Sequence, residues 1–169
     1  MNKLVRSNLF RFFGLLLLQV IVLDKFYLQG LASPYIYILF IILLPVNISR
    51  SLALVLAFLL GIGEDMFSNT GAIHAAATVM VAFVRPYVFK ILSPALGYED
   101  IVTPSIKKPG VVWFLLYAAI LVCVHNLMLF SLEIFSFSHI LFAFLKIIMS
   151  SAITMVLIII YEFLFYSAD

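Results

Sequence analysis

The spacing of the charged residues constrains this chain more than any other feature of its sequence. Lysine, arginine, aspartate and glutamate together make up 11% of the residues and leave long apolar stretches between them. The uncharged stretches cover 12–23, 26–49, 51–63, 66–84, 109–132, 134–145 and 147–161. About 20 apolar residues in a helix cross the hydrocarbon core of a bilayer. The spacing therefore predicts an all-α integral membrane protein, with residues 1–169 forming a single transmembrane domain.

The composition excludes several other classes of protein. The chain is 66% hydrophobic with a mean hydropathy of +1.24, whereas a soluble domain is nearer half apolar and a quarter charged. A net charge of +2 is too small to indicate a polyanionic partner, so we expect no binding of nucleic acid. The single cysteine, Cys123, excludes an internal disulfide and a cysteine-based zinc site.

The apolar stretches predict six membrane-crossing helices. In chain order they lie near 5–23, 28–46, 50–65, 70–90, 110–132 and 138–162. The sixth helix is continuous only if it accommodates Lys146 within the membrane. The one long connection, 85–109, contains four prolines that prevent a continuous helix. It either lies on the membrane surface or serves as a simple tether.

The distribution of lysine and arginine predicts the orientation, because cytoplasmic loops of membrane proteins carry an excess of both. Eight of the ten fall on one side of the predicted helices: Lys3, Arg6, Arg11, Arg50, Arg85, Lys90, Lys107 and Lys108. The opposite side has Lys25, and Lys146 lies within the sixth helix. We therefore expect both termini and the connection 85–109 in the cytoplasm, with Asn69 and Ser136 outside.

Small residues at helical spacing predict close packing of the third and fourth helices. They are Ala53, Ala57 and Gly61 in the third helix, and Gly71, Ala75, Thr78 and Ala82 in the fourth. Small faces let membrane helices approach closely, since association in lipid depends on packing. A contact between these two helices is the favoured interpretation, and a surface for another protein's helix is the alternative.

Polar residues within the apolar stretches predict a structural layer in the outer half of the membrane. Its members are Glu64, Asp65, His74, His125, Asn126 and Lys146. A lone charge near the membrane centre costs on the order of 3 kcal/mol. We therefore expect Lys146 to pair with Asp65, although Glu64 lies nearer the small face of its helix. The alternative is that Lys146 extends outward and pairs with nothing.

The polar residues match no known catalytic or metal-binding pattern. The acidic pair with His74 lacks a third ligand, and neither His-x-x-x-His nor His-Glu-x-x-His occurs. A Gly-x-Ser-x-Gly elbow and a glycine-rich phosphate loop are also missing from the sequence. We expect no catalytic residue, no metal and no cofactor, and hence a protein that is not an enzyme.

Over most of its length the sequence resembles the bacterial rod shape-determining protein family MreD. The similarity is most specific from Pro34, which begins the second predicted helix, to Arg85. It includes the Gly-x-x-x-Asp end of the third helix, from Gly61 to Asp65. It continues in the opening of the fourth helix, Gly71-x-x-His74-Ala75. The proline-rich connection 92–109 departs from the family pattern by its length.

The resemblance implies a non-enzymatic scaffold of the cell-elongation machinery in the bacterial cytoplasmic (inner) membrane, with a role in cell shape and peptidoglycan synthesis. A member of this family binds MreC, a single-span periplasmic coiled-coil protein. Its indirect partners are actin-like filaments and the peptidoglycan synthase RodA with its transpeptidase partner. Membrane lipid is the other partner that the resemblance implies.

The resemblance also implies the six-helix bundle of the substrate-binding S components of vitamin importers. An S component is therefore the alternative function. S components typically carry an Ala-x-x-x-Ala motif on the first helix, where they dock their transport partner. The first helix here reads FFGLLLLQVIVL and contains no alanine, which favours the scaffold.

Overall fold

A computed structural model describes residues 3–25, 32–94, 97–98, 101–133 and 140–165. The α-helices are α1 (Lys3–Ile21), α2 (Leu39–Ile42), α3 (Arg50–Ser68), α4 (Ile73–Ile91), α5 (Val111–Glu133) and α6 (Ile140–Phe165). Two short 3-10 helices cover Leu23–Lys25 and Ile36–Ile38. These ranges contain no β-sheet, and an isolated bridge joins Ser105 to Pro109.

Four helices are long and apolar enough to cross a membrane. They are Val5–Lys25, Arg50–Ser68, Val111–Glu133 and Leu141–Phe165. The predicted all-α, multi-pass membrane character is therefore confirmed, whereas a count of six spans is not. The helix α4 has the same 19-residue length as α3, but its second half carries Arg85 and Lys90.

The prediction of a continuous second helix over 28–46 is wrong. The structure instead has a 3-10 turn, Ile36–Ile38, followed by the four residues of α2, while residues 28–31 lie outside the described ranges. Prolines at 34 and 45 flank this stretch and interrupt helical hydrogen bonding. Residues 35–44 are each at most 8% exposed. We call residues 33–45 the core segment, because other helices enclose it.

The helices pack in chain order around the core segment. The contact of α3 with α4 is the most extensive, followed by α4 with α5 and α5 with α6, while α1 packs against α3 and the core segment. One end of the bundle, the basic end, carries Arg50, Lys90, Lys107 and Lys108. The opposite end, the acidic end, carries Asp24, Glu64, Asp65 and Glu133.

The predicted contact between the third and fourth helices is confirmed. A Cβ atom on Gly61 would collide with the backbone of Ala75 and the hydroxyl of Thr78, so the two helices touch at this glycine. The Thr78 hydroxyl also lies 2.9 Å from the carbonyl oxygen of Ala57, across the interface. The remaining predicted packing alanines, Ala53 and Ala82, are buried.

Gly71 does not take part in this packing, and that prediction is wrong. The residue is exposed in the turn between α3 and α4, and no described atom lies within 4 Å of its Cβ position. Its φ of +60° places it in the left-handed region, as do the values of +56° at Asn69 and +72° at Ala72. Gly71 therefore serves the tight turn, where a glycine adopts this conformation without strain.

The connection after α4 packs against the basic end rather than hanging free as a tether. Ile101 and Ile106 are buried, and the carbonyl oxygen of Val102 accepts a 2.9 Å hydrogen bond from Val46 N–H. The hydroxyl of Tyr98 donates to the carbonyl oxygen of Phe89 at 2.8 Å, and burial raises the pKa of Tyr98. The described part of the connection thus closes this end of the bundle.

Candidate functional site

Gln19 of α1 hydrogen-bonds the start of the core segment. Its Nε2 donates to the carbonyl oxygen of Pro34 at 2.9 Å, and its Oε1 accepts from Ile36 N–H at 2.9 Å. The Gln19 side chain is 1% exposed. Irregular backbone at membrane depth is stable only where protein groups supply its hydrogen bonds. This amide therefore replaces bonds that a continuous helix would make internally.

Two hydroxyl groups of α6 accept hydrogen bonds from the backbone at the start of the core segment, on the side opposite α1. Ser150 Oγ accepts from Ser33 N–H at 3.1 Å, and Thr154 Oγ1 accepts from Tyr35 N–H at 3.0 Å. Ser150 and Thr154 lie four residues apart, so one face of α6 presents both. The core segment is thus fixed to α1 and α6 by side chains that sequence reasoning had not singled out.

Arg85 binds the far end of the core segment. Its guanidinium donates to the carbonyl oxygens of Leu44 and Pro45, and its Nε donates to the Tyr117 hydroxyl at 2.8 Å. Tyr117 in turn donates to the carbonyl oxygen of Ile42 at 3.1 Å. Arg85 is expected in the connection 85–109, and the structure corrects this. Arg85 lies inside α4, is 3% exposed and supplies donors to the turn that ends the core segment.

The hydroxyl of Tyr37 joins two histidines of the predicted polar layer at the centre of the bundle. It lies 2.8 Å from His74 Nδ1 and 2.7 Å from His125 Nε2. A phenol has one proton, so it donates to one imidazole and accepts from the other. His125 continues to Asn126 at 3.2 Å, and Asn126 Nδ2 donates to Ser151 at 2.9 Å. The resulting buried chain ties the core segment to α4, α5 and α6.

Asp65 caps the start of α4 from the end of α3. Its Oδ1 accepts from Thr70 Oγ1 at 2.6 Å and from His74 N–H at 3.0 Å. Its Oδ2 accepts from Ala75 N–H at 2.8 Å. The first N–H groups of a helix have no partner within the helix, and Ala72 at the N-cap position provides no side-chain acceptor.

The predicted pair of Asp65 with Lys146 is wrong. Lys146 Nζ lies 3.5 Å from Glu133 Oε1 on the neighbouring helix α5, whereas both carboxylate oxygens of Asp65 bind the start of α4. The alternative of an unpaired Lys146 is wrong for the same reason. Glu133 lies at the end of an apolar stretch, where a charge is ordinary, so the sequence does not mark it as the partner of Lys146.

A cavity of about 460 Å³ opens at the acidic end. We call it the acidic-end cavity. Its lining comes from α1, the start of the core segment, α3, α4 and α5, and includes Asp24, Ser33, Pro34, Tyr35, Glu64, Phe67, Ser68, Thr70, His74 and Glu133. Glu64 is 0% exposed, and its Oε1 accepts from Ser68 Oγ at 3.1 Å. Its Oε2 is buried without a hydrogen-bond partner among the described residues.

A second cavity, of about 730 Å³, runs between α1 and α3 toward the basic end. We call it the α1–α3 groove. Its lining is almost entirely apolar and includes Val5, Leu9, Phe12, Phe13, Phe40, Leu44, Ile48, Leu52, Leu56 and Leu59. Two amides, Asn8 and Asn47, are its polar members.

Within the described ranges, no three His, Cys, Asp or Glu side chains converge as a metal site would require. Comparison of the chain with known protein families, with curated proteins and with solved structures finds no match.

Proposed function

We propose that the chain is a non-enzymatic scaffold of the bacterial cytoplasmic membrane that binds MreC and supports cell elongation. The observation that carries this proposal is the α1–α3 groove, whose apolar lining and volume of about 730 Å³ suit the side chains of a partner helix. Membrane helices associate by packing side chains into such surfaces. A single-span protein such as MreC presents one helix of this kind to the bilayer.

The residues of the family resemblance support the same proposal, because each has a definite structural role. Gly61 permits the contact of α3 with α4, and Asp65 caps α4. Gly71 takes the left-handed turn, and His74 binds Tyr37. A similar sequence pattern would therefore build the same hairpin around the same core segment in MreD proteins.

The proposal includes six crossings with both termini in the cytoplasm. The Ser68 hydroxyl lies 3.3 Å from Asp24 Oδ2, so the C-terminal ends of α1 and α3 meet at the acidic end. Because α3 begins at the basic end with Arg50, the chain between Lys25 and Arg50 must return across the bundle. The core segment provides this second crossing, and α4 provides the fourth. The basic end then faces the cytoplasm.

Reporter fusions test this topology. Fusions after Lys107 and at the C-terminus should give cytoplasmic signals, and a fusion at Asn69 should give a periplasmic signal. A periplasmic signal after Lys107 would contradict the arrangement.

Co-purification with MreC in mild detergent tests the scaffold. The double variant Phe13→Ala with Leu52→Ala enlarges the α1–α3 groove and should reduce recovery of MreC at least tenfold. The control is Phe163→Ala with Leu164→Ala on α6, whose side chains are 62% and 72% exposed. It should recover MreC like the parent chain. Failure of the parent chain to bind MreC would refute the scaffold, and equal recovery by both variants would exclude the groove.

The alternative function, an S component of a vitamin importer, is favoured by the acidic-end cavity. Its volume falls within the range of small-molecule sites. Deletion of the gene separates the two functions. A scaffold leaves cells rounded with normal vitamin uptake, whereas loss of an S component abolishes uptake and leaves cell shape intact.

A further inference from the structure

We propose that the acidic-end cavity binds a primary ammonium group between the carboxylates of Glu64 and Asp24. The inference depends on this cavity alone and holds whether the chain binds MreC or serves an importer.

The first observation is the unsatisfied oxygen of Glu64. The residue is wholly buried and lines the cavity, and its Oε2 meets no donor within the described ranges. Nearly all buried polar atoms in native proteins have a hydrogen-bond partner, and an unpaired carboxylate oxygen is especially costly. A donor carried by an occupant of the cavity would satisfy this oxygen.

The second observation is the convergence of two carboxylates on one hydroxyl. Ser68 Oγ lies 3.1 Å from Glu64 Oε1 and 3.3 Å from Asp24 Oδ2. The hydroxyl has a single proton and cannot donate fully to both oxygens. Asp24 Oδ1 also accepts from Gln19 Nε2 at 2.8 Å. The two acidic groups therefore lie close together, and Glu64 Oε2 is the oxygen left without a donor among the described residues.

The charge of the lining favours a cation. Glu133 is the third carboxylate of the cavity wall, and it pairs with Lys146 at 3.5 Å. Among the lining residues that the structure describes, none is lysine or arginine. Glu64 and Asp24 thus lie together without a basic side chain among the described lining residues, and a partly enclosed acidic site concentrates field lines and attracts cations.

The chemistry of the site selects an ammonium group. Among the residues that the structure describes, no three His, Cys, Asp or Glu side chains converge here, as a metal ion would require. A guanidinium matches one carboxylate through its fork, whereas the available acceptors are single oxygens of two carboxylates. An ammonium group directs three donors separately. The aromatic rings of Tyr35 and Phe67 in the same lining add favourable surfaces for a cation, and the volume accommodates an organic body.

Two sources can supply this group: a free amine entering from the acidic end, or the headgroup of phosphatidylethanolamine. Glu64 lies four residues, about 6 Å, before the last residue of α3, so both sources can reach it.

The experiment uses the full chain in nanodiscs of phosphatidylglycerol. The probe is phenethylammonium, and its neutral counterpart 2-phenylethanol is the chemical control. The amine should raise the midpoint of thermal unfolding saturably, and the alcohol should not. Glu64→Gln should weaken the apparent affinity for the amine at least tenfold. Glu162→Gln is the matched control, since Glu162 is also buried but binds Ile106 N–H near the basic end; it should keep the parent affinity.

A second arm identifies the source by replacing part of the lipid with phosphatidylethanolamine or, as control, phosphatidylcholine. If the lipid headgroup occupies the site, phosphatidylethanolamine alone raises the midpoint and suppresses the effect of the amine. If a free amine is the ligand, the two lipids behave alike. Asp24→Asn replaces Glu64→Gln should the latter fail to fold. The proposal is overturned if neither phenethylammonium nor phosphatidylethanolamine raises the midpoint of the parent chain, which is the result expected when Glu64 and Asp24 merely share a proton. It is also overturned if the Glu64→Gln and Asp24→Asn variants respond to the amine like the parent.

Discussion

Asp65 Oδ2 accepts a 2.8 Å hydrogen bond from the backbone N–H of Ala75, ten residues further along the chain. This bond, with a second from His74 N–H at 3.0 Å, caps α4 from the end of α3. The carboxylate also lies at the positive end of the α4 dipole, which favours its charge there. The orientation of α4 relative to α3 is therefore fixed at the turn that joins them.

Removing this cap should destabilise the fold. We expect Asp65→Ala to lower the free energy of unfolding by about 2 kcal/mol, since two N–H groups and the Thr70 hydroxyl lose a charged acceptor. Unfolding of the purified protein in detergent, followed by circular dichroism, measures the change. The control is Asp65→Asn, which keeps the shape of the side chain and one carbonyl acceptor and should therefore cost less. Equal losses would show that Asp65 acts only as a charge.

The contact at Gly61 should tolerate no added methyl group. Gly61→Ala places a Cβ against the backbone of Ala75, so α3 and α4 must separate, at a cost of about 1–3 kcal/mol. Gly14→Ala in α1 is the matched control, because no described atom lies within 4 Å of that Cβ position. It should be neutral or slightly stabilising. Thermal unfolding of both variants in detergent decides the matter, and a stable Gly61→Ala protein would contradict the close contact.

The sequence predicts the hairpin of α3 and α4 well because its determinants are local. All of these determinants lie between Ala53 and Ala82: small residues at helical spacing, an aspartate at the end of α3 and a glycine in the turn. The sequence does not assign their separate roles. Gly71 and Gly61 look equivalent in a helical pattern, yet one serves backbone conformation and the other serves packing.

The core segment was not predicted because its structure depends on distant residues. Its apolar run has the length of a membrane helix, and nothing within it indicates that Gln19, Thr154 and Arg85 will bind its backbone. Tyr37 was missed for the same reason, since a tyrosine in an apolar run is ordinary. Gln19 and Thr154, polar residues within two separate apolar stretches, were the available signal, but they do not identify their partners.

Lys146 should depend on Glu133 of the neighbouring helix α5 for its ion pair, and not on Asp65, which the sequence places at a similar depth in the membrane. Lys146→Glu places two carboxylates together and should lower the free energy of unfolding by about 1 kcal/mol. Adding Glu133→Lys should restore most of that loss, because the 3.5 Å pair re-forms with reversed charges. Adding Asp65→Lys is the control and should worsen the loss by removing the cap. Rescue by Asp65→Lys instead would favour the pairing that the structure contradicts.

The guanidinium of Arg85 should be irreplaceable by another cation. Arg85→Lys keeps the charge but cannot reach two carbonyl oxygens and the Tyr117 hydroxyl together. We expect a loss of about 2 kcal/mol in the free energy of unfolding, since buried carbonyl groups lose their donors. Arg50→Lys is the control, because Arg50 is exposed and contacts the Tyr87 ring through its charge. Unchanged stability of Arg85→Lys would mean that water satisfies this turn.

The hydroxyl of Tyr37 should contribute to the stability of the fold, beyond the packing of its ring. Tyr37→Phe keeps the packing but leaves His74 Nδ1 and His125 Nε2 without their shared partner, at a cost of about 1–3 kcal/mol. Tyr87→Phe is the control, since Tyr87 is 43% exposed and should lose little. Adding His125→Leu to Tyr37→Phe should recover part of the stability, because removing both polar partners is less costly than leaving one unpaired. If the double variant is less stable than Tyr37→Phe alone, the bond of His125 to Asn126 contributes more than the bridge does.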